Sequence, residues 1–433
     1  MSLLSSLVAG AAGLDSASTD LSVISDNIAN SSTVGYKSER ATFEDELAQN
    51  IVGGTGQVGV GSQLGGVERI MTQGALQSTG VDTDLALQGD GFFEVAGTNT
   101  DGRQGTFLTR AGQFTVDNNG FLVNPEGLRL QGYTADATGK VTTSVGDLQV
   151  GNASSAPNAT STVTLKGNLS SSAPVVAPAT DANDAQTNAA LSTSVSVYDS
   201  LGNEIQLQLD FRRTASSPST WEYDAVADGG AVQGGTAGTP QIVASGTMAF
   251  DTAGRLTSVT PNSGLSFTPN GAQPMSLTFD FGDPTSVAGG TGLAGLTQFG
   301  GASATTFVGQ DGYASGTLTS VQIDQSGRVN GVFTNGQTRA LAQVGVARVA
   351  APDALDRTGG NLYAVTPQSG AAVLGTAGDG GRASITAGSL EQSNVDIAGQ
   401  FVDMIAAQRA FEANSKTITT ADQLLSELIA MKR

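Results

Sequence analysis

Apolar side chains recur every seventh residue at both ends of the chain. Near the start the line is Leu7, Leu14, Leu21 and Ile28, supported by Leu3, Ala17 and Ile24; near the end it is Met404, Phe411, Ile418 and Leu425, supported by Ile397, Phe401 and Leu428. Seven-residue spacing holds one face of an α-helix against a partner helix, so each terminus predicts half of a coiled coil. A lone helix of roughly 25 residues with a narrow stripe cannot bury that stripe by itself. It must meet the other terminus, or a copy of it in another molecule. The first helix should run from about Leu3 to Ala29 and stop where Asn30, Ser31, Ser32 and Gly35 supply turn residues. The last should start at Ser393-Asn-Val-Asp396, where Ser or Asn covers free N–H groups and Asp396 suits the positive helix end.

Between the termini the period changes. A second amphipathic piece is expected around Phe43 to Ile51, with Glu44, Asp45 and Glu46 on a solvated helix face, and an extended region then runs from Gly59 to Gly80. From Leu85 the pattern turns strand-like, and Asp84-Leu-Ala-Leu-Gln-Gly-Asp-Gly-Phe-Phe93 reads as strand, glycine turn and strand. Alternating segments then flank a recurring Asp-x-x-Gly at Asp117–Gly120, Asp136–Gly139, Asp199–Gly202, Asp251–Gly254 and Asp324–Gly327. Asp suits the first position of a type I turn, where its carboxylate accepts turn N–H groups, and Gly suits the left-handed position that follows. Hairpins are the expectation. No copy carries the alternating acidic ligands of a calcium loop. Ile205, Leu207, Leu209 and Phe211 share one strand face, as do Leu277, Phe279 and Phe281, which predicts half-buried antiparallel strands.

Gly/Ser/Ala/Pro-rich stretches mark off residues 147–308 as an inserted unit, with twelve acidic against four basic residues. The expected fold class is mainly β with α-helical termini, the two helices pairing as a coiled coil and one antiparallel β-domain inserted in another. The expected division is 1–40 plus 385–433 as the helical polymerisation domain and 41–84 as an extended linker. Residues 85–146 plus 309–384 form the inner β-domain and 147–308 the outer one. Gly-rich joints at Gly53–Gly66 and Gly375–Gly388 should let these parts move.

Composition removes most chemistry. The chain has no Cys and no His, which excludes disulfides, thiolate nucleophiles, Ser–His dyads and the usual zinc ligands. No catalytic carboxylate pair stands out, and an enzyme is not expected. The Gly59-Val-Gly61-Ser-Gln-Leu-Gly65 run has one residue too many for a dinucleotide fingerprint, and Gly139-Lys140 is followed by Val, so neither cofactor nor metal is expected. Arg212 and Arg213, beyond a strand, read as surface charges. A net charge of −19 repels nucleic acid and anionic membrane. The first basic side chain is Lys37, too late for a signal-peptide n-region, and no apolar run is long enough to span a membrane.

The spelling of the termini carries more than their period. Leu21-Ser-Val-Ile-Ser-Asp-Asn27-Ile-Ala-Asn30 followed by Thr33-Val-Gly35-Tyr36-Lys37 resembles the N-terminal signature of bacterial flagellar rod and hook proteins. Gly388-Ser-Leu-Glu391-Gln-Ser-Asn394-Val-Asp396 and Gln408-Arg409-Ala-Phe-Glu-Ala-Asn414 are similar to the matching C-terminal signature. Thr109-Arg-Ala-Gly-Gln-Phe114 and Leu130-Gln-Gly-Tyr133 look like the inner β-domain of that family, and Gln310-Asp-Gly-Tyr-Ala-Ser-Gly316 resembles its hook branch. The resemblance covers roughly 1–146 and 309–433.

It implies a structural subunit exported through the flagellar type III route without a cleaved signal peptide. Such a subunit polymerises with itself into a curved tube, a universal joint passing torque from rod to filament. Its implied partners are rod, hook-cap, hook–filament junction and export proteins, and its location is the extracellular flagellum. The heptad residues, with Ile397 and Phe401, are the expected polymerisation contacts. A distal rod protein of the same family, or a secreted β-rich adhesin, are the alternative readings.

Overall fold

The computed structural model describes residues 3–47, 59–136, 138–263 and 266–431. Among them are three α-helices, α1 (Leu3–Ala29), α2 (Ala182–Thr187) and α3 (Ile397–Met431), and the remainder is mostly β. Two compact units result: Met1–Ala153, Thr319–Val332 and Thr338–Arg433 form the first, and Ser154–Leu318 with Phe333–Gln337 the second. The first therefore holds both terminal helices together with the inner strands. The inserted unit starts later than 147, since Val141–Asp147 still pairs with Arg129–Ala135 in the first unit, and ends later than 308, since Ala304–Gln310 pairs with Thr162–Asn168 in the second.

Within the first unit, the described part of 41–84 is not a linker, and Phe43–Leu47 is strand rather than helix. Strand β1 (Glu39–Leu47) pairs antiparallel with β2 (Gly59–Arg69), and α1 packs on this hairpin. Glu44, Asp45 and Glu46 therefore line an exposed strand, and residues 48–58, including Gly53 and the end of the Phe43–Ile51 reading, lie outside the described residues. Of the two glycine joints, Gly59–Gly66 is built into β2. At the other, Val373–Thr376 and Ser384–Ala387 are strands on either side of a turn. Strand β3 (Leu76–Ser78) pairs with Ser389–Glu391, and β4 (Leu85–Gln88) pairs with Ser384–Ala387, so entry to and exit from the β-body lie side by side. Its core gathers Leu85, Leu87, Phe93, Phe114, Leu130 and Val344.

The Asp-x-x-Gly hairpins form as the sequence predicts. Asp117 Oδ1 accepts from the N–H groups of Asn119 and Phe121 at 2.9 and 2.8 Å, and Asp324 Oδ1 accepts from Ser326 and Arg328 at 2.9 Å each. The five glycines have φ between +76° and +85°. That left-handed conformation is open to Gly and strained for most other residues.

The second unit carries a five-stranded antiparallel sheet, from Leu191–Tyr198 to Leu256–Ser263 in sequence order. Leu207, Leu209, Phe211, Trp221 and Tyr223 face its core beside Phe279 and Phe281. A second sheet is mixed rather than antiparallel: Thr162–Asn168 pairs parallel with Thr278–Asp280 and Leu296–Thr297, and antiparallel with Ala304–Gln310. Arg212 is not a surface charge. It alternates with Phe211 onto the other face of the five-stranded sheet, where α2 covers it, and donates to the Asp184 carbonyl at 2.8 Å and its carboxylate at 3.2 Å. Arg213 likewise donates to the Ser171 carbonyl at 2.7 Å. Asp210, Glu222 and Asp224 share the covered layer with Arg212. Burial, reinforced by Glu222 and opposed by Arg212, pushes the Asp224 carboxyl up to about 7, with Asp210 and Asp184 also raising it.

Candidate assembly site

The helix pair is built on close approach. Gly10, Ala17 and Ile24, again seven apart, are the buried line of α1, while Leu7, Leu14, Leu21 and Ile28 are half-buried beside it. A Cβ on Gly10 would lie 3.1 Å from Ile418 Cγ1, and one on Gly13 only 2.6 Å from Asn414 Nδ2. On α3 the buried positions are Ala407 and Ala421, flanked by half-buried Met404, Asn414 and Ile418. Small residues thus let the backbones come together, and the larger side chains of the predicted lines form the sides of the seam. Opposite α3, α1 meets the hairpin, where Ser16 Oγ and Ser62 Oγ are 2.9 Å apart.

Three expected seam residues are not buried by this pair. Ile397, Phe401 and Phe411 remain 47%, 49% and 41% exposed, and Phe401 shares the open side of α3 with Val402 and Ile405. The side chains of Leu3, Leu425 and Leu428 lie outside the described residues. Asp396 is the residue that caps α3, its Oδ1 accepting from Ala398 N at 3.1 Å.

At the foot of the helices the motif residues converge. Asn27, buried at the end of α1, donates to the Glu39 carbonyl at 2.7 Å and to Gln400 Oε1 at 2.9 Å, and its Oδ1 accepts from Glu39 N at 2.8 Å. One side chain so joins both helices to the hairpin. Asn30 Nδ2 donates to the Asp26 carbonyl and Thr33 Oγ1 donates to Asn30 Oδ1, which closes the turn after α1. The Tyr36 hydroxyl reaches Asp26 and Asn27 at 3.2 Å each; burial, with Asp26 beside it, pushes its phenol well above the usual range. Asn394 Oδ1 accepts from Ser38 N at 2.7 Å while its Nδ2 donates to the Ile70 carbonyl at 2.8 Å.

Below them sits a buried ionic cluster. Lys37 Nζ lies 2.6 Å from Glu391 Oε1 with both side chains fully buried, and Arg110 binds Glu391 Oε2 at 3.2 Å. Lys37 also donates to the Thr72 carbonyl at 2.7 Å, Glu391 Oε1 accepts from Gly74 N at 2.9 Å, and Gly35 N donates to the Glu391 carbonyl at 2.7 Å. Burial lowers the Lys37 ammonium from its ordinary range, and Glu391 pulls the other way. A further set, Arg357 with Asp26 at 3.0 Å and Arg69 with Glu39 at 3.2 Å, ties the cluster to the β-body.

Asn27, Asn30, Thr33, Gly35, Tyr36, Lys37 and Asn394 therefore belong to one knot. Gln408 and Arg409 do not; they are exposed on α3, and Asn414 lies in the seam. Sequence reasoning left Arg357 and Gln400 unassigned and met Arg110 only inside the Thr109–Phe114 resemblance, without a role; spatial proximity brings all three to the knot. No group of His, Cys, Asp or Glu able to hold a metal occurs among the described residues, and no described helix is long and apolar enough to cross a membrane.

Fold and site together define a β-rich protein closed by paired terminal helices, knotted to its β-body at their base and carrying apolar side chains on their open side. Four family models match it in chain order: "Flagella basal body rod protein" at 7–37, "Flagellar hook protein FlgE/F/G D1 domain" at 86–170, "Flagellar basal body protein FlaE D2 domain" at 164–313 and "Flagellar basal body rod FlgEFG protein C-terminal" at 386–431. The flagellar hook protein FlgE of Treponema pallidum is 35% identical, covering 100% of both chains. That of Escherichia coli is 34% identical over 97% of this chain and 98% of its own. The chain belongs to the flagellar hook protein family. In fold it is similar to the crystal structure of Helicobacter pylori flagellar hook protein FlgE2, with a TM-score of 0.50 at 17% identity, covering 73% of this chain and 100% of that one.

Proposed function

We propose that the chain is the structural subunit of the bacterial flagellar hook, self-assembling into a curved, flexible tube that passes torque from rod to filament. The observation that carries this reading is the open side of α3, where Phe401 and Ile405 stay half-exposed beside a seam that is otherwise closed. Apolar side chains held outward on a rigid helix favour association with further copies, and contacts that do not close on themselves build a helical polymer. We assign polymerisation to 1–40 and 385–433, with Leu7, Leu14, Leu21, Ile28, Met404 and Ile418 packing within the subunit. Ile397, Phe401 and Phe411 pack between subunits. Rod, hook cap, hook–filament junction and type III export components are the further partners of this reading, and the extracellular flagellum is its location.

Phe401→Asp tests it. Because Phe401 is half-exposed, the monomer should keep its melting temperature while polymer mass falls at least about tenfold. Electron microscopy of the wild-type polymer should show curved tubes. Straight tubes would favour a distal rod protein, and unchanged assembly of the variant would refute the assigned contact.

A further inference from the structure

The open side of α3 has two unlike flanks. Phe401, Ile405 and Arg409 are spaced four apart, so they form one ridge along the helix. Asp403, Ala406 and Ala410 lie on another flank, about 130° away at about 100° per residue. There they border a groove of ≈ 610 Å³ between α1, β1 and α3, with Asp20 and Val23 on its α1 wall and Phe43 on its β1 wall. The ridge is apolar and ends in a cation; Arg409 is exposed and forms no ion pair among the described residues. The groove mixes small and apolar residues with a polar rim, on which Asp20 and Asp403 are the carboxylates that form no ion pair among the described residues.

Those carboxylates are badly matched within one chain. Burial raises the Asp20 carboxyl, and Asp403 across the groove raises it further. The basic group at the same rim, Arg40, is engaged by Glu68 at 2.7 Å, and Glu39 is taken up by Arg69 and Arg357. Among the described residues, then, Asp20 and Asp403 pair with no cation and Arg409 pairs with no anion.

We propose that the occupant of this groove is a second copy of the chain, whose Phe401–Ile405–Arg409 ridge seats against Ala406 and Ala410 with Arg409 reaching between Asp20 and Asp403. The arginine stem covers apolar wall while its guanidinium pairs with carboxylates, a division of labour that lysine fits less well. Because ridge and groove occupy different flanks of the same helix, each copy offers both halves of the contact. The interface is heterologous and propagates instead of closing as a dimer. This rests on the assembly reading above and specifies its contact.

Charge exchange tests it on the full-length chain, with light scattering and electron microscopy as readouts. Asp403→Arg and Arg409→Asp change exposed positions, so each variant should keep wild-type helix content and yet lower polymer mass at least about tenfold. An equimolar mixture should assemble, since every contact in it can pair opposite charges. Ala410→Trp, which fills the groove without altering charge, should block assembly alone. Normal assembly of either charge variant or of Ala410→Trp overturns the proposal, as does a folded mixture that stays monomeric. Failure of the wild-type chain to polymerise would instead sink the assembly reading, and this contact with it.

Discussion

Replacing Glu391 with Gln probes the knot at its centre. The carboxylate holds Lys37 at 2.6 Å, Arg110 at 3.2 Å and the Gly74 N–H at 2.9 Å, and its own side chain is fully buried. Gln can keep the Gly74 bond but leaves two buried cations without their anion. Removing one partner of a buried pair costs about 3–5 kcal/mol, far more than an exposed pair is worth. Lys37 sets the upper limit, because burial already lowers its pKa and the variant can shed the proton. That gives a sign. A base whose folded pKa lies below its unfolded one makes stability rise with pH between the two values. Glu391→Gln should thus lose about 3–5 kcal/mol at pH 7 and measurably less at pH 9.5.

Two probes separate the units during denaturation. The chain's single Trp is Trp221, within the second unit, so its fluorescence follows that unit, whereas far-ultraviolet dichroism includes α1 and α3. The loss should appear in the dichroism transition and leave the Trp221 transition in place. A loss below about 1 kcal/mol would mean that the cluster is solvated or dispensable. A loss independent of pH would refute the role given to Lys37.

Gly13→Val should push α1 away from Asn414, since any Cβ there meets the amide at 2.6 Å. The expected cost is about 1–3 kcal/mol by dichroism, with reduced assembly. Asp224→Asn should stabilise the second unit at pH 8 by about 1–3 kcal/mol but not at pH 4, followed by Trp221 fluorescence. The sign follows from a folded pKa of about 7, above the unfolded value: wild type holds the extra proton below that pH and loses stability as pH rises from about 4 to 7. An equal effect at both pH values would refute the buried-carboxylate explanation.

Much of the fold was legible because it is local. Seven-residue spacing located both helices, and the Asp-x-x-Gly spelling located five turns down to the N–H groups that the carboxylate accepts. The heptad reading named Ala17 and Ile24 only as support and left Gly10 out of the buried line of α1, because glycine carries no apolar signal, although its smallness is what brings α3 close. Arg212 was misread for the converse reason: charge reads as solvent exposure unless the covering helix is known. The hairpin escaped because Phe43 and Leu47, four apart with Glu44, Asp45 and Glu46 between them, share a face in a helix and in a strand alike. The knot was out of reach for another reason. Motif spelling named Lys37 and Asn394, but Lys37 and Glu391 are 354 residues apart, and no local pattern records which distant charge will share a cavity.

The antiparallel pairing of β3 with Ser389–Glu391 gives the knot a mechanical character. The segment that leaves α1 and the segment that enters α3 are anchored to the β-body at one place, by Asn27, Asn394 and the Lys37–Glu391 pair together. A pull along the helix pair would strain these bonds in parallel, as in shear, whereas a single covalent hinge would let them open one after another as a zipper does. Force applied to either end of the chain is then divided between two strands, and the joint should yield at a higher load than either strand would bear alone.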